Sequence, residues 1–442
     1  MSEELILVTG VSGYIASHVA KLLLEDGYRV RGTVRDLSDE GKVAPLKALV
    51  PDAKHPIELV EADLTKDDGW DKAMEGCAFV LHMASPFPDL TTANVPEDAL
   101  VKPAREGTLR VLEAARAAGT VQRVVLTSSF AAVHGEAAVD PEKNYNEDDW
   151  TDVESPDLDS YTKSKVLAEK AAWDFIKELP DERKMELAVI NPGFVLGPPL
   201  MESHKGSTSV NYMTQIVNRT YPAVPKLMFP VCDVRDVARA HVQALTLPEA
   251  AGKRHIITTD SFWMKDVALA ASKEFRPQGY NIPTCQLPYF VVWMAGIFNK
   301  TYKNHLLPRL GKVMKVDNKR MVETLGIEPT ALDCTVQDMI YAMIDLGIVR
   351  KAKKYKQVGS RAEVPPAANG EIEDEKKDKG TEKGGEEQEK EKEQEEEKKE
   401  LEPEDKEEKD EEIKKDDRQP SEAKEEKKKN NEEQKEESEA EK

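Results

Sequence analysis

Residues Leu5 to Gly27 constrain the fold more than any other stretch. An apolar run, Leu5-Ile6-Leu7-Val8, leads into Thr9-Gly10-Val11-Ser12-Gly13-Tyr14-Ile15-Ala16, and Val19, Ala20, Leu22 and Leu23 then recur at helical spacing before Gly27. This order predicts a strand, a glycine turn and a helix. In such a unit the first glycine permits the tight turn, the second lets backbone N–H groups approach a pyrophosphate on the positive end of the helix, and a small third residue lets helix pack on strand. Gly10, Gly13 and Ala16 take those places, and Thr9, Ser12, Tyr14 and Ile15 complete the candidate phosphate cradle. A glycine turn alone is often only a turn. This one stands directly after a strand and directly before a helix, as dinucleotide binding requires.

Strand and helix patterns continue to alternate. Tyr28 to Val34 reads as a second strand ending in Arg35-Asp36. An acid near this strand end, about 20 residues after the glycines, favours NAD, whereas an arginine favours the 2′-phosphate of NADP. Arg35 stands at the strand tip with Lys42 in reach of the same phosphate, so NADP(H) is expected over NAD(H). Ile57 to Ala62 gives a third strand followed by Asp63-Leu64, where the carboxylate can accept from an adenine amino group or cap a helix. Cys77 to His82 gives a fourth, leaving through Met83-Ala84-Ser85-Pro86, with Ala84 placed beside the cofactor. Asp98 to Ala118 has helical periodicity and is stopped by Gly119. Alternation of this kind means parallel strands with crossover helices.

Val121 to Leu126 is apolar enough to be buried on both faces, and it delivers Thr127-Ser128-Ser129 at its carboxyl end. A polar loop, Glu136 to Ser160, leads to Tyr161-Thr162-Lys163-Ser164-Lys165 at the start of a helix. Tyr161 and Lys165, four apart, share one helix face. A free tyrosine has a pKa of about 10; a neighbouring ammonium favours the phenolate and moves it down. Tyr161 could then give a proton to a carbonyl oxygen as hydride arrives from a nicotinamide, with Lys165 holding the ribose and Ser129 bonding the same oxygen. Met185 to Asn191 reads as a further strand, and Gly197 to Pro230 breaks into proline-bounded pieces suited to a lid. Asp233 is placed to cap a helix, His255 to Thr259 reads as a strand, and Met264 to Phe275 and Met339 to Leu346 as helices. The aromatic-rich stretch Leu287 to Phe298 suits a pocket wall or core packing equally.

Together the segments Val8 to Ala16, Arg31 to Asp36, Leu126 to Ser129, Tyr161 to Lys165 and Asn191 to Pro198 resemble the extended short-chain dehydrogenase/reductase family. They look most like its dihydroflavonol 4-reductase-like and cinnamoyl-CoA or aldehyde reductase-like branch. The resemblance covers about Leu5 to Val349. It implies an NADP(H)-dependent oxidoreductase on the CH–OH/C=O couple with Ser129, Tyr161 and Lys165 as its triad, and Pro192 to Val195, Pro192 and Val195 among them, lining the nicotinamide. Plant flavonoid reductases carry a substrate-binding asparagine where this chain has His134, which argues against a flavonoid substrate. The alternatives are a nucleotide-sugar epimerase or dehydratase and a non-catalytic NADP-binding regulatory protein. Dehydratases follow the catalytic hydroxyl residue with an acidic pair, whereas Phe130-Ala131-Ala132 follows Ser129. Retention of both Tyr161 and Lys165 argues for chemistry.

The expected architecture is α/β: a Rossmann-type doubly wound parallel sheet with a smaller C-terminal substrate-binding lobe and a disordered charged tail. One extended domain, 1–350, divides into a nucleotide-binding core of about 1–192 and substrate-binding portions of about 193–230 and 260–350; the tail is 351–442. Glu371 to Lys442 holds 34 acidic and 19 basic residues, and so −15 of the chain's net charge of −21. Its only apolar side chains beyond alanine and proline are Ile372, Leu401 and Ile413, too few to offset chain entropy. An acidic balance argues against nucleic acid. The four cysteines, Cys77, Cys232, Cys285 and Cys334, lack a metal or dithiol spacing, and no apolar run suffices to span a membrane. A cytoplasmic protein with a small-molecule carbonyl substrate is expected, with no metal and at most a weak protein interaction through the tail.

Overall fold

The computed structural model describes residues 4–85, 98–136, 138–156, 158–180, 185–298, 303 and 306–356. Pro86 and the tail beyond residue 356, with the disorder and the interaction expected of it, lie outside the described residues. Seven parallel strands form the central sheet: β1 (Leu5–Val8), β2 (Arg29–Val34), β3 (Glu58–Glu61), β4 (Cys77–His82), β5 (Arg123–Thr127), β6 (Glu186–Pro192) and β7 (Arg254–Ile257). Their spatial order is β7-β6-β5-β4-β1-β2-β3. The chain winds outward from β1 through β2 and β3, then returns to β4 on the other side, so the order reverses between β1 and β4. That reversal opens a crevice at the carboxyl ends of the two strands, the place where open α/β sheets bind ligands.

Successive side chains of a strand point to opposite faces, and β1 shows what each face meets. Ile6 and Val8 pack with Val19, Ala20 and Leu23 of helix α1 (Tyr14–Glu25) and with Val237, Ala240 and Ala244 of the helix Val234–Thr246. Leu5 and Leu7 pack instead with Val111, Leu112 and Ala115 of α2 (Asp98–Ala118) and Ala172 of α3 (Ser160–Lys177). Each fully buried leucine or isoleucine contributes about 1.5–3 kcal/mol relative to exposure, so both layers are held by the same continuous apolar strand. Its lack of polar alternation is the reason β1 is legible as a central parallel strand.

Several strand boundaries differ by one or two residues from those expected of the sequence: β2 starts at Arg29 rather than Tyr28, β3 is Glu58–Glu61 rather than Ile57 to Ala62, β6 is Glu186–Pro192 rather than Met185 to Asn191, and β7 is Arg254–Ile257 rather than His255 to Thr259. The fifth strand runs Arg123–Thr127 rather than Val121 to Leu126, because its ladder begins where Arg123 pairs with Phe79 and Glu186; the buried Arg123 side chain bonds Glu186 and the carbonyls of Ala244, Leu245 and Leu247. Met339 to Leu346 is only the latter part of a helix running Leu332–Asp345. Asp233 caps its helix as expected, accepting from the N–H of Arg235 at 2.8 Å. Beyond β6 a three-stranded sheet of Phe194–Leu196, Met228–Asp233 and Asp260–Trp263 carries a second apolar cluster with Met213, Phe275, Met339 and Ile340. On the helix Tyr289–Phe298, Tyr289, Phe290, Trp293, Met294 and Ile297 are exposed rather than packed in a core.

Candidate active site

The glycine turn occupies the crevice between β1 and β4. Gly10 adopts φ +63°, and a Cβ there would stand 3.0 Å from the Cβ of Ala84 on the turn after β4. Its N–H donates to the Thr33 hydroxyl at 2.8 Å. Thr9 is fully buried; its hydroxyl accepts from the N–H groups of Met83 and Ala84 and lies 3.0 Å from His82 Nδ1. The two strand ends are thereby tied together by one side chain. Gly13 is the N-cap of α1, with no side-chain cap and no acid in the first turn. The first N–H groups of an α-helix have no partner within it, so those of Tyr14 and Ile15, beside the half-buried Ser12, suit an anionic group. The Tyr14 phenol faces away, donating to the Gly197 carbonyl at 2.6 Å.

At the tip of β2, Arg35 is exposed and close enough to Asp63 to help hold its carboxyl below the usual range, after the larger effect of the Thr65 N–H. Asp36 is engaged by the N–H and hydroxyl of Ser38. Lys42 pairs with Asp39 at 2.6 Å. Asp63 Oδ1 accepts from the N–H and hydroxyl of Thr65 in a turn from which no helix starts, the next helix, Trp70–Met74, being capped at Gly69, and Leu64 packs against Gly107. A cationic tip with its acid turned into its own loop fits a 2′-phosphate better than a bare ribose.

Along the same rim the structure brings Ser129, Tyr161 and Lys165 together. β5 delivers Ser129, which caps the short turn Phe130–Ala132, and the adjoining helix α3 presents Tyr161 and Lys165 one turn apart. The Ser129 hydroxyl is hydrogen-bonded to the Tyr161 phenol. Lys165 Nζ lies 6.0 Å from the centre of the Tyr161 ring and donates to the Thr127 carbonyl at 3.5 Å. Burial raises the Tyr161 pKa against the lowering by Ser129, so the downward shift expected from Lys165 is not what the geometry gives. Burial also brings Lys165 down to about 8, with Glu169 working the other way. Burial, then Lys165, keeps His82 down at about 3 and therefore neutral. Pro192 ends β6 and Val195 lies half-buried just beyond it.

His134 is buried, 3.1 Å from Glu136 through Nδ1 and stacked on Tyr145 at 4.1 Å. Burial works against ionised Glu136, yet the bond from His134 and backbone N–H groups hold it down to about 2. Sequence reasoning overlooked Glu169 and Arg254. Glu169 is fully buried between Ser128, Asn191 and Arg254. A signal existed: Tyr161, Lys165 and Glu169 continue one four-residue spacing, and a charge among apolar helix positions needs a partner. Among the described residues no cluster of His, Cys, Asp or Glu is arranged to hold a metal ion, and no helix is long and apolar enough to cross a membrane.

Strand order, helices on both faces and a glycine turn at the order reversal define a Rossmann-type doubly wound protein. Residues 6–258 match the model of the NAD dependent epimerase/dehydratase family. The chain belongs to that family, as an extended short-chain dehydrogenase/reductase. It is 38% identical over 291 residues to a putative uncharacterized oxidoreductase of Schizosaccharomyces pombe, covering 62% of this chain and 83% of the relative. With cinnamoyl-CoA reductase CAD2 of Medicago truncatula it shares 31% identity over 77% of this chain and 95% of the relative. The crystal structure of yeast methylglyoxal/isovaleraldehyde reductase Gre2 complexed with NADPH matches with a TM-score of 0.63 at 30% identity, covering 78% of this chain and 99% of that one.

Proposed function

We propose that this protein is an NADPH-dependent reductase of aldehydes or ketones. The observation that carries this reading is the convergence of Ser129, Tyr161 and Lys165 on the sheet rim that also holds the Gly10 turn. The NADPH-bound Gre2 structure and the cinnamoyl-CoA reductase relative support the same coenzyme and reaction class. NADPH, when bound, supplies the hydride. Gly10, Gly13 and the first N–H groups of α1 hold its pyrophosphate, Arg35 its 2′-phosphate, and Pro192 and Val195 line the nicotinamide end. Ser129 donates to the substrate carbonyl oxygen and orients it. Tyr161, kept protonated by burial, gives its proton to that oxygen. Lys165 holds the ribose hydroxyls and supplies positive charge beside the phenol.

A panel of aliphatic, α-dicarbonyl and aromatic aldehydes and ketones, assayed by NADPH oxidation, tests the proposal; turnover of none of them overturns it. Coenzyme choice has its own test. Arg35→Ala removes one charged phosphate contact and should weaken NADPH binding roughly 10- to 100-fold while leaving NADH binding unchanged. An unaltered NADPH-to-NADH affinity ratio would contradict the placement of the phosphate.

The reaction should also lose activity on the alkaline side earlier than an ordinary lysine would allow. Lys165 is lowered to about 8 and Tyr161 is raised, so the ammonium is the first of the two groups to deprotonate. Activity that needs the ammonium is complete below that pH and lost as pH rises through it. A kcat/KM profile flat to pH 10 would contradict a lowered Lys165 ammonium as the group that limits activity.

A further inference from the structure

Behind the catalytic side chains lies a buried ion pair that the mechanism above does not use. Glu169, on α3, is wholly inaccessible, and Arg254, on β7, nearly so. Arg254 Nε donates to Glu169 Oε1 at 2.6 Å, and its Nη1 donates to the carbonyls of Glu147 and Asp149. The guanidinium also stacks on Trp150, 3.8 Å from the ring centre. Two of the remaining bonds of Glu169 lead towards the site. Oε2 accepts from the Ser128 hydroxyl at 2.5 Å and from Asn191 Nδ2 at 2.9 Å, and Oε1 accepts from Trp173. The same Asn191 Nδ2 also donates to the Ser129 carbonyl at 3.2 Å. Asn191 directly precedes Pro192, and Ser128 directly precedes Ser129.

One carboxylate therefore reaches the serine segment, the strand end at the nicotinamide position, and the Tyr-Lys helix. We propose that Glu169, held from behind by Arg254, is the positioning residue of this site: it fixes the Ser129 backbone through Ser128 and Asn191 and sets a carboxylate one helical turn beyond Lys165 on the same face. This rests on the reading of Ser129, Tyr161 and Lys165 as the catalytic set.

The groups that face Lys165 support the electrostatic half. From its own helix come Tyr161 and Glu169, from β4 the neutral His82, and from β5 the Thr127 carbonyl. Of these only Glu169 carries a full negative charge. Burial alone would drive Lys165 lower, and Glu169 is the group that opposes it. A buried pair whose remaining lone pairs are satisfied can keep such a charge in place.

The test is the alkaline limb of kcat/KM for the carbonyl substrate, with NADPH saturating. Glu169→Gln keeps the size and most acceptor capacity but removes the charge, and should move the limb down by roughly one pH unit. Glu169→Asp keeps the charge on a shorter stem; its limb should stay within about 0.3 units of wild type while kcat falls roughly 10-fold as the bonds to Ser128 and Asn191 are lost. Should Glu169→Gln not fold, the double variant Glu169→Gln/Arg254→Met leaves no uncompensated buried charge and should still shift the limb down by about half a unit. A merely structural Glu169 would lower stability in all three and move the limb in none, and that result overturns the inference. Tyr161→Phe, run in parallel, separates the two readings: a fully active Tyr161→Phe refutes the catalytic set itself, whereas an inactive Tyr161→Phe with unmoved limbs refutes only the role of Glu169.

Discussion

Tyr161→Phe is expected to lower kcat by roughly 10³-fold, the scale at which a positioned general acid acts, while the NADPH dissociation constant changes by less than about 3-fold. The substitution removes one oxygen atom and keeps the ring, so the packing of α3 against the sheet is preserved. It leaves the Ser129 hydroxyl without its phenol partner, a loss on the order of 1 kcal/mol, too small to unfold the chain. The proposed binding determinants of the phosphates lie elsewhere, at the Gly10 turn, where the N–H bonds Thr33, and at Arg35, beside Asp63. An effect on kcat without an effect on coenzyme binding is therefore the signature of a group used only in the transition state. Stopped-flow reduction at saturating NADPH, with fluorescence titration of the coenzyme, measures both. Parallel loss of binding and rate would mean that Tyr161 shapes the coenzyme pocket rather than the proton transfer.

Much of this geometry is legible in the sequence because it depends on local order. Leu5 to Ala16 fixes a strand, a turn and a helix in succession, and parallel neighbours leave only one rim where such turns collect. Cys77 to His82 and Asp98 to Ala118 are bounded as expected, since apolar runs and Gly119 mark their ends. What escaped is what only tertiary packing creates. Arg254 reads as a polar interruption before an apolar strand, and nothing near it in sequence names its partner, 85 residues away. The direction of the Tyr161 shift escaped for the same reason. Spacing along a helix puts Lys165 near the phenol, but the depth at which both lie decides whether attraction or burial dominates. The same depth sets the neutral state of His82.

Gly10→Val should reduce NADPH affinity roughly 100-fold. Its φ of +63° lies in the left-handed region, which costs an L-residue about 1–2 kcal/mol, more with a branched Cβ. The Cβ would also meet Ala84 Cβ at 3.0 Å and its Cα at 3.1 Å. Retreat is blocked on two sides. The Gly10 N–H is bound to Thr33, and Ala84 is held by its own N–H on Thr9. The turn must therefore move outward into the crevice where the pyrophosphate would lie, and the N–H groups of α1 lose their aim. Gly13 offers the contrast: its φ of −73° suits any residue, and the nearest atom to a Cβ there is a carbonyl oxygen at 3.1 Å. Gly13→Ala should thus cost less stability without coenzyme than Gly10→Val, through a small shift of the Gly10 carbonyl rather than backbone strain, yet impede the close approach of a phosphate. Thermal melts with and without NADPH distinguish strain from lost binding. At a ligand concentration of 100 times the dissociation constant, bound coenzyme stabilises the folded state by about 2.7 kcal/mol. A 100-fold weaker Gly10→Val would retain only about 0.4 kcal/mol of that at the same concentration. Full retention of the NADPH-induced shift by this variant would place the dinucleotide somewhere other than the β1–β4 crevice.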